Sequence, residues 1–124
     1  MKGFTMTLLA ALLATGTAVA DDNDRPDHFD GKPAETLDAA VTNFSEGNQR
    51  LAELLAADEL TEEQLAEIHQ LSYTLENALG KIDDEVDAMA ESLEKVHIGS
   101  ETMAPEQVAD SGQTYLEAAQ TLVP

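Results

Sequence analysis

The stretch from Thr61 to Val96 repeats apolar side chains at alternating gaps of three and four residues, and this repeat limits what the chain can fold into. A 3.5-residue repeat sustained over four heptads is typical of one long helix with a continuous buried stripe. Such a helix, predicted over about 61–98, is roughly 55 Å long at 1.5 Å per residue, more than a small globule can cover by itself. The stripe comprises Leu65, Ile68, Leu75, Leu79, Ile82, Val86, Met89, Leu93 and Val96, with polar Ser72 at the remaining position.

Two shorter helices are predicted on either side of the long one. Pro33 and Pro105 each suit the first turn of a helix, where a missing backbone donor costs nothing. We place these helices at about 33–58 and 104–122. Because the connections are short, consecutive helices must be antiparallel neighbours. The predicted fold is all-α, an antiparallel helical bundle with one long central helix and two shorter flanking helices.

The sequence defines where the long helix starts, but it leaves two possibilities for its continuation at Gly80. Thr61 and Gln64 have the spacing of a capping box, which marks a helix N-terminus. Gly80 interrupts the helix at a cost of roughly 1 kcal/mol relative to Ala. If the helix ended there, the chain would form a four-helix up-down bundle broken at Gly80. We favour a continuous helix ending near Gly99, because the heptad phase passes through Gly80 without a slip.

Antiparallel pairing of the first two helices aligns their only polar stripe positions. The register that places Phe44 beside Leu75 also places Asn48 beside Ser72. A buried amide left unsatisfied would cost about 1–3 kcal/mol. We therefore interpret Asn48 and Ser72 as a structural polar layer that fixes the register; the alternative is a ligand site.

The first 20 residues have the pattern of a cleavable secretory signal. A short basic start at Lys2 precedes an apolar run over 4–14, and a small-x-small pattern ends at Ala20. Cleavage after Ala20 would leave Asp21 as the first residue of an exported, periplasmic protein. Because the apolar run is too short to span a bilayer as a helix, we predict no membrane association after signal removal.

The predicted mature chain is strongly acidic. Removing residues 1–20 removes Lys2 and no acid, which changes the formal net charge from −19 to −20. A surface this negative repels phosphate backbones and anionic lipids, which argues against nucleic-acid and membrane-surface binding. Residues 21–32 carry five Asp and no periodicity, so we predict a disordered or loosely docked acidic arm, with disorder favoured, followed by one helical-bundle domain over 33–124.

One polar patch on the long helix could carry chemistry. His69, Tyr73, Glu76 and Asn77 lie three or four residues apart along one side of the helix. His69, Tyr73 and Glu76 could bind a metal or an amine, although such a patch is more often a solvated or helix-contacting face. The chain contains no Cys and no Gly-x-Ser-x-Gly motif. We therefore expect neither enzyme activity nor a cofactor.

Three stretches carry a resemblance to known sequences. They are 29–37 (FDGKPAETL), 68–79 (IHQLSYTLENAL) and 96–101 (VHIGSE). Through them the chain resembles an uncharacterised family of small exported proteobacterial helical proteins, a domain of unknown function. The resemblance implies export and an all-helical fold, and it implies no activity, cofactor or catalytic residue.

The architecture favours a function based on association. The two short helices should meet near Ile82 and leave one flank of the long helix uncovered. We therefore expect an exported, non-enzymatic protein that forms a homodimer or docks to another periplasmic protein. The alternative is a small periplasmic protein that binds a metal or ligand through the face of His69, Tyr73 and Glu76.

Overall fold

A computed structural model describes residues 28–124, and this part of the chain is all-helical. Its three helices are α1 (Leu37–Leu55), α2 (Glu62–Glu101) and α3 (Pro105–Leu122). The predicted fold class is confirmed. α2 runs through Gly80 as one helix of 40 residues, so the four-helix alternative is wrong. The predicted signal at 1–20 lies outside the described residues.

The first helix begins later than the sequence predicted. Residues 33–35 precede the helix, and Thr36 is its N-cap, with Oγ1 accepting a hydrogen bond of 3.2 Å from the Ala39 amide. Pro33 is therefore not the first helical residue; its carbonyl accepts a 3.1 Å bond from Asn43 Nδ2 instead. The cap satisfies an amide of the first turn, which defines the start at Leu37.

The long helix has the predicted start and a different end. Thr61 and Gln64 form the capping box, each side chain bonded to the other residue's backbone amide. The C-terminus is at Glu101 rather than at Gly99. Met103 adopts φ +58°, and the Ala104 amide donates to the Gly99 carbonyl at 2.9 Å. This is the pattern of a left-handed helix cap.

The packing of α1 on α2 follows the predicted register but uses a rotated face of α1. Gly47 lies between Leu71 and Leu75: a Cβ at Gly47 would lie 3.5 Å from Leu71 Cδ1 and 2.7 Å from Leu75 Cδ2. A glycine at this contact lets the two helix axes approach closely. The buried residues of α1 are Leu37, Ala40, Gly47 and Leu54, whereas the predicted Asn48 and Leu55 are exposed.

The third helix packs antiparallel on the second half of α2. Gly99 is buried against Val108, whose Cγ2 would be 3.0 Å from a Cβ at Gly99, and Gly112 approaches Val96. Both short helices contact α2 far more extensively than they contact each other. They meet where Leu37 lines a groove with Ala118 of α3. One long helix therefore organises the domain, with α1 and α3 following one another along it.

The described part of the acidic arm is ordered by hydrogen bonds to α2. The Lys32 amide donates to Thr74 Oγ1 at 3.0 Å. Asn77 Nδ2 donates to the carbonyls of Asp30 and Lys32 at 2.9 and 3.0 Å. The docked alternative therefore holds for residues 28–32 rather than the favoured disorder; residues 21–27 of that arm lie outside the described range. The reason is that the side chains of Thr74 and Asn77 satisfy hydrogen-bonding groups of the arm's backbone.

Candidate functional site

The predicted polar patch on α2 divides into two parts. His69 and Tyr73 lie together, with their ring centroids 5.2 Å apart and their planes nearly perpendicular. Glu76 is exposed and lines a different groove, beside Gly80 and Lys81. Asn77 is engaged in holding the arm. The structure therefore separates Glu76 from the His69–Tyr73 pair.

His28 of the arm joins the two aromatic residues of α2. Its Nδ1 lies 3.1 Å from the Tyr73 hydroxyl, and the two ring centroids are 6.0 Å apart. Within residues 28–124 no three His, Cys, Asp or Glu side chains are grouped so that they could hold a metal ion. The three rings instead form an edge-to-face aromatic cluster, an arrangement that stabilises packing.

A groove of about 640 Å³ lies beside this cluster. It is lined by His28, Phe29, Glu62, Leu65, Ala66, His69 and Gln70. Phe29 is 47% exposed and Leu65 is 52% exposed, so the groove presents apolar surface to its surroundings. His69 Nε2 is enclosed and has no hydrogen-bond partner within the described range. Sequence reasoning missed the contribution of His28 and Phe29, because the arm was predicted to be disordered; the aromatic Phe29 just before Gly31 was the available signal.

The predicted polar layer does not form as a buried pair. Asn48 is exposed on α1. Ser72 is half-buried, and its hydroxyl donates to the carbonyl of His69 in its own helix at 2.7 Å. Gly47 occupies the contact with α2 instead, because its lack of a side chain allows closer approach than Asn48 would. The prediction of an Asn48–Ser72 layer in the seam is therefore wrong with respect to Asn48.

Apolar side chains form an exposed line along α2. We define the exposed line as the residues at every seventh position from Leu65 to Leu93, namely Leu65, Ser72, Leu79, Val86 and Leu93. Its four apolar members are 52%, 50%, 43% and 47% exposed in that order. They were predicted to be buried, but α1 and α3 cover the adjacent face of α2. The line extends for about 42 Å at 1.5 Å per residue.

The exposed line is bordered by half-buried apolar residues on one side, and its other border includes charged and histidine residues. On one side, three residues further along the chain, lie the half-buried side chains Ile68, Leu75, Ile82, Met89 and Val96. On the other side, four residues further along, lie Glu76 and Asp83 near the middle and His69 and His97 nearer the ends. A helix that packed on the line would meet apolar side chains at spacings of three and four residues, as in a coiled coil.

One interhelical ion pair lies near the N-terminal end of α2. Arg50 of α1 donates to both carboxylate oxygens of Glu67, from Nε at 2.6 Å and from Nη2 at 2.9 Å. It also contacts Glu53 at 3.0 Å. These hydrogen bonds lower the pKa of Glu67 and raise the pKa of Arg50. Because the pair is bidentate, it adds orientation to the α1–α2 packing.

Within residues 28–124, fold and surface together define a three-helix domain whose long helix carries the exposed line. No helix of residues 28–124 is long and apolar enough to cross a membrane. The chain belongs to a family described as a family of unknown function (DUF6746), which matches residues 1–124. No curated protein and no solved structure matches the chain. The resemblance to a domain of unknown function is thereby confirmed.

Proposed function

We propose that this protein is an exported, non-enzymatic interaction protein, and that it binds a second copy of itself through the exposed line of α2. The observation that carries the proposal is the exposure of apolar side chains at Leu65, Leu79, Val86 and Leu93. Residues seven apart drift by about 20° per heptad around a straight α-helix, and they stay on one face when the helix supercoils around a partner helix. A seam of this length and period fits a long helix better than it fits a compact small molecule.

A second copy is the occupant because it offers a seam of the same length and period. A two-fold dimer places one patch against itself, so each copy would cover the other's uncovered line. The dimer would bury the four apolar members of the exposed line from each copy, eight side chains in all. Because each is already about half buried, each would contribute half of the ~1.5–3 kcal/mol of full burial, which sums to on the order of 6–12 kcal/mol. Association costs ~4–15 kcal/mol. Because the two ranges overlap, the exposed line can supply at most a dimer of weak to moderate affinity.

Charge sets the conditions under which the dimer forms. The full chain has a formal net charge of −19, and acidic side chains border the middle of the exposed line. Two such surfaces repel one another at low ionic strength. Because the Debye length falls from about 10 Å at 0.1 M salt to about 3 Å at 1 M, added salt should strengthen association.

The test of this proposal replaces one residue of the exposed line and one matched residue outside that line. Leu79→Glu introduces a charge at a side chain that is 50% exposed, whereas Ile98→Glu introduces the same charge at one that is 44% exposed. Ile98 lies on the same helix, about 140° around it from Leu93 at 100° per residue. Sedimentation equilibrium of the purified protein should show self-association weakened at least tenfold by Leu79→Glu and little changed by Ile98→Glu.

Two results would overturn the proposal. One is a wild-type protein that remains monomeric at high micromolar concentration in 1 M NaCl, where repulsion is screened over about 3 Å. The other is equal association of the Leu79→Glu and Ile98→Glu variants. Far-UV circular dichroism controls for folding, and both side chains are exposed enough for a charge to be accommodated in the monomer.

The export component of the proposal is supported by the leader pattern of residues 1–20. A basic Lys2, a short apolar run and a small-x-small site ending at Ala20 are the parts of a cleavable signal. The full chain should be expressed from Met1 in a Gram-negative host, and the periplasmic fraction analysed by intact mass. We expect a product that begins at Asp21; an uncleaved chain retained in the cytoplasm would contradict export.

A further inference from the structure

We infer that the second copy packs antiparallel, with the two-fold axis passing beside Leu79; this inference rests on the proposed self-association through the exposed line. Leu79 is the midpoint of the line. Leu65 and Leu93 lie fourteen residues before and after it, and Ser72 and Val86 lie seven residues before and after it. Antiparallel packing therefore places Leu79 against Leu79, Leu65 against Leu93, and Ser72 against Val86 of the second copy.

The shape of the surface favours the antiparallel arrangement over the parallel one. The arm brings Phe29 to the edge of the groove beside Leu65, at the N-terminal end of the line. A parallel dimer would place the arms of both copies at the same end, side by side. In the antiparallel dimer each arm instead faces the segment around Leu93 of the other copy. The groove of about 640 Å³ at Leu65 then receives the Leu93 side chain of the second copy.

Helix polarity agrees with this orientation, and the border residues add one contact between a carboxylate and a histidine and one repulsive contact between carboxylates. Antiparallel neighbouring helices place the positive N-terminal end of one dipole beside the negative C-terminal end of the other. The same alignment brings Glu62 of the first α2 turn near His97 of the second copy, whose Nε2 lies 3.1 Å from Glu101 of its own helix. Near the axis it brings Glu76 close to Asp83 of the second copy. Those two carboxylates repel, which gives a local reason for the salt dependence of the dimer.

Single cysteines test the orientation directly, because the chain contains no native cysteine. Leu79→Cys should form an intermolecular disulfide under mild oxidation, since the axis brings both copies of this position together. Ser72→Cys alone should not, because its symmetry mate would be fourteen residues away, about 21 Å along the helix. A disulfide needs Cα atoms roughly 4.4–6.8 Å apart. A mixture of the Ser72→Cys and Val86→Cys proteins should form the mixed disulfide.

The outcomes separate the orientation from the association itself. Efficient cross-linking of Ser72→Cys with itself would show a parallel dimer and overturn this inference, while leaving self-association intact. Failure of the mixed Ser72→Cys and Val86→Cys pair in a protein that sedimentation shows to be dimeric would also overturn it. Cross-linking of Leu79→Cys no greater than that of Ile98→Cys, together with a monomeric mass, would remove both the inference and the proposed function. Ile98→Cys is the control for random collision, since it lies away from the line.

Discussion

Gly31 of the arm lies so close to α2 that a Cβ on it would come within 2.7 Å of the Thr74 amide nitrogen. Gly31 also has φ +68°, a backbone conformation that residues with a Cβ rarely adopt. The adjacent Lys32 amide donates to Thr74 Oγ1 at 3.0 Å. The arm is therefore attached to α2 at Thr74, where Gly31 packs closely and Lys32 forms a hydrogen bond.

Gly31→Ala should detach the arm. The substitution combines about 1–3 kcal/mol of backbone strain with a contact against main-chain atoms that cannot move aside. We expect faster hydrogen exchange at the Lys32 amide and a lower melting temperature. Gly112→Ala is the control, because its Cβ would lie 3.8 Å from Val96 Cγ2, an ordinary contact. Unchanged protection of Lys32 in Gly31→Ala would contradict this attachment.

Gly47 of α1 and Gly80 of α2 should respond differently to alanine. Gly80 has no atom within 4 Å of a Cβ, so Gly80→Ala should stabilise the fold by up to about 1 kcal/mol through helix propensity. Gly47→Ala gains the same propensity, but its Cβ would lie 2.7 Å from Leu75 Cδ2 and 3.2 Å from Leu75 Cγ, so Leu75 must shift and the variant should be less stable than Gly80→Ala. Urea denaturation measures both changes. Equal shifts of the two midpoints would contradict the close approach of α1 to α2 at Gly47.

The sequence pattern was sufficient for the helices and their order. The heptad repeat predicted one continuous α2, and the Thr61–Gln64 box located its start within a residue. These features depend on local spacing and on backbone amides near the helix ends, both of which can be read from sequence. The antiparallel register of α1 on α2 was also right, because the short connection leaves little freedom.

Which face each helix buries could not be predicted from large apolar residues alone. The buried positions include Ala40, Gly47, Thr74 and Ala78, whose small side chains allow close approach. That shift left Leu79 and its counterparts along the line exposed. A search for small residues seven apart, such as Ala40 and Gly47, was the signal that could have shown the rotation. The ordered arm was missed because its bonds are long-range contacts to Thr74 and Asn77.

The Arg50–Glu67 pair should make stability depend on pH in a definite direction. The hydrogen bonds from Arg50 hold the pKa of Glu67 below its ordinary value of 4.5. A lowered pKa in the folded state contributes stability above the unfolded pKa, and that stability is lost as pH falls through the folded pKa. Glu67→Gln should therefore lower the melting temperature at pH 7 and lose this effect under acid conditions.

The control for the ion pair is Glu91→Gln, which removes the same charge from an exposed position elsewhere on α2. The comparison is a series of melting curves for wild type and both variants from neutral to acid pH. Because both Arg50 and Glu67 are nearly half exposed, the effect should be small and should weaken in high salt. If the melting temperature of Glu67→Gln stayed equally far below that of wild type at pH values below the folded-state pKa of Glu67, the stabilising role of the Arg50–Glu67 pair would be contradicted.

Salt should raise the melting temperature of the protein. The formal net charge of −19 makes the compact state self-repulsive, and salt shortens the Debye length from about 10 Å at 0.1 M to about 3 Å at 1 M. The measurement is a thermal melt at increasing NaCl, monitored by circular dichroism at one fixed protein concentration. A flat or falling profile would mean that the acidic side chains are already compensated locally.

The most direct test of self-association is the light-scattering mass of the wild-type processed chain as a function of concentration. Size-exclusion chromatography with light scattering in 1 M NaCl, where charges are screened beyond about 3 Å, isolates the apolar contribution of the exposed line. We predict a mass that rises with concentration from one chain toward two, and a melting temperature that rises with it. A mass fixed at one chain, with a melting temperature independent of concentration, would contradict the claim that the line of Leu65, Leu79, Val86 and Leu93 binds a second copy.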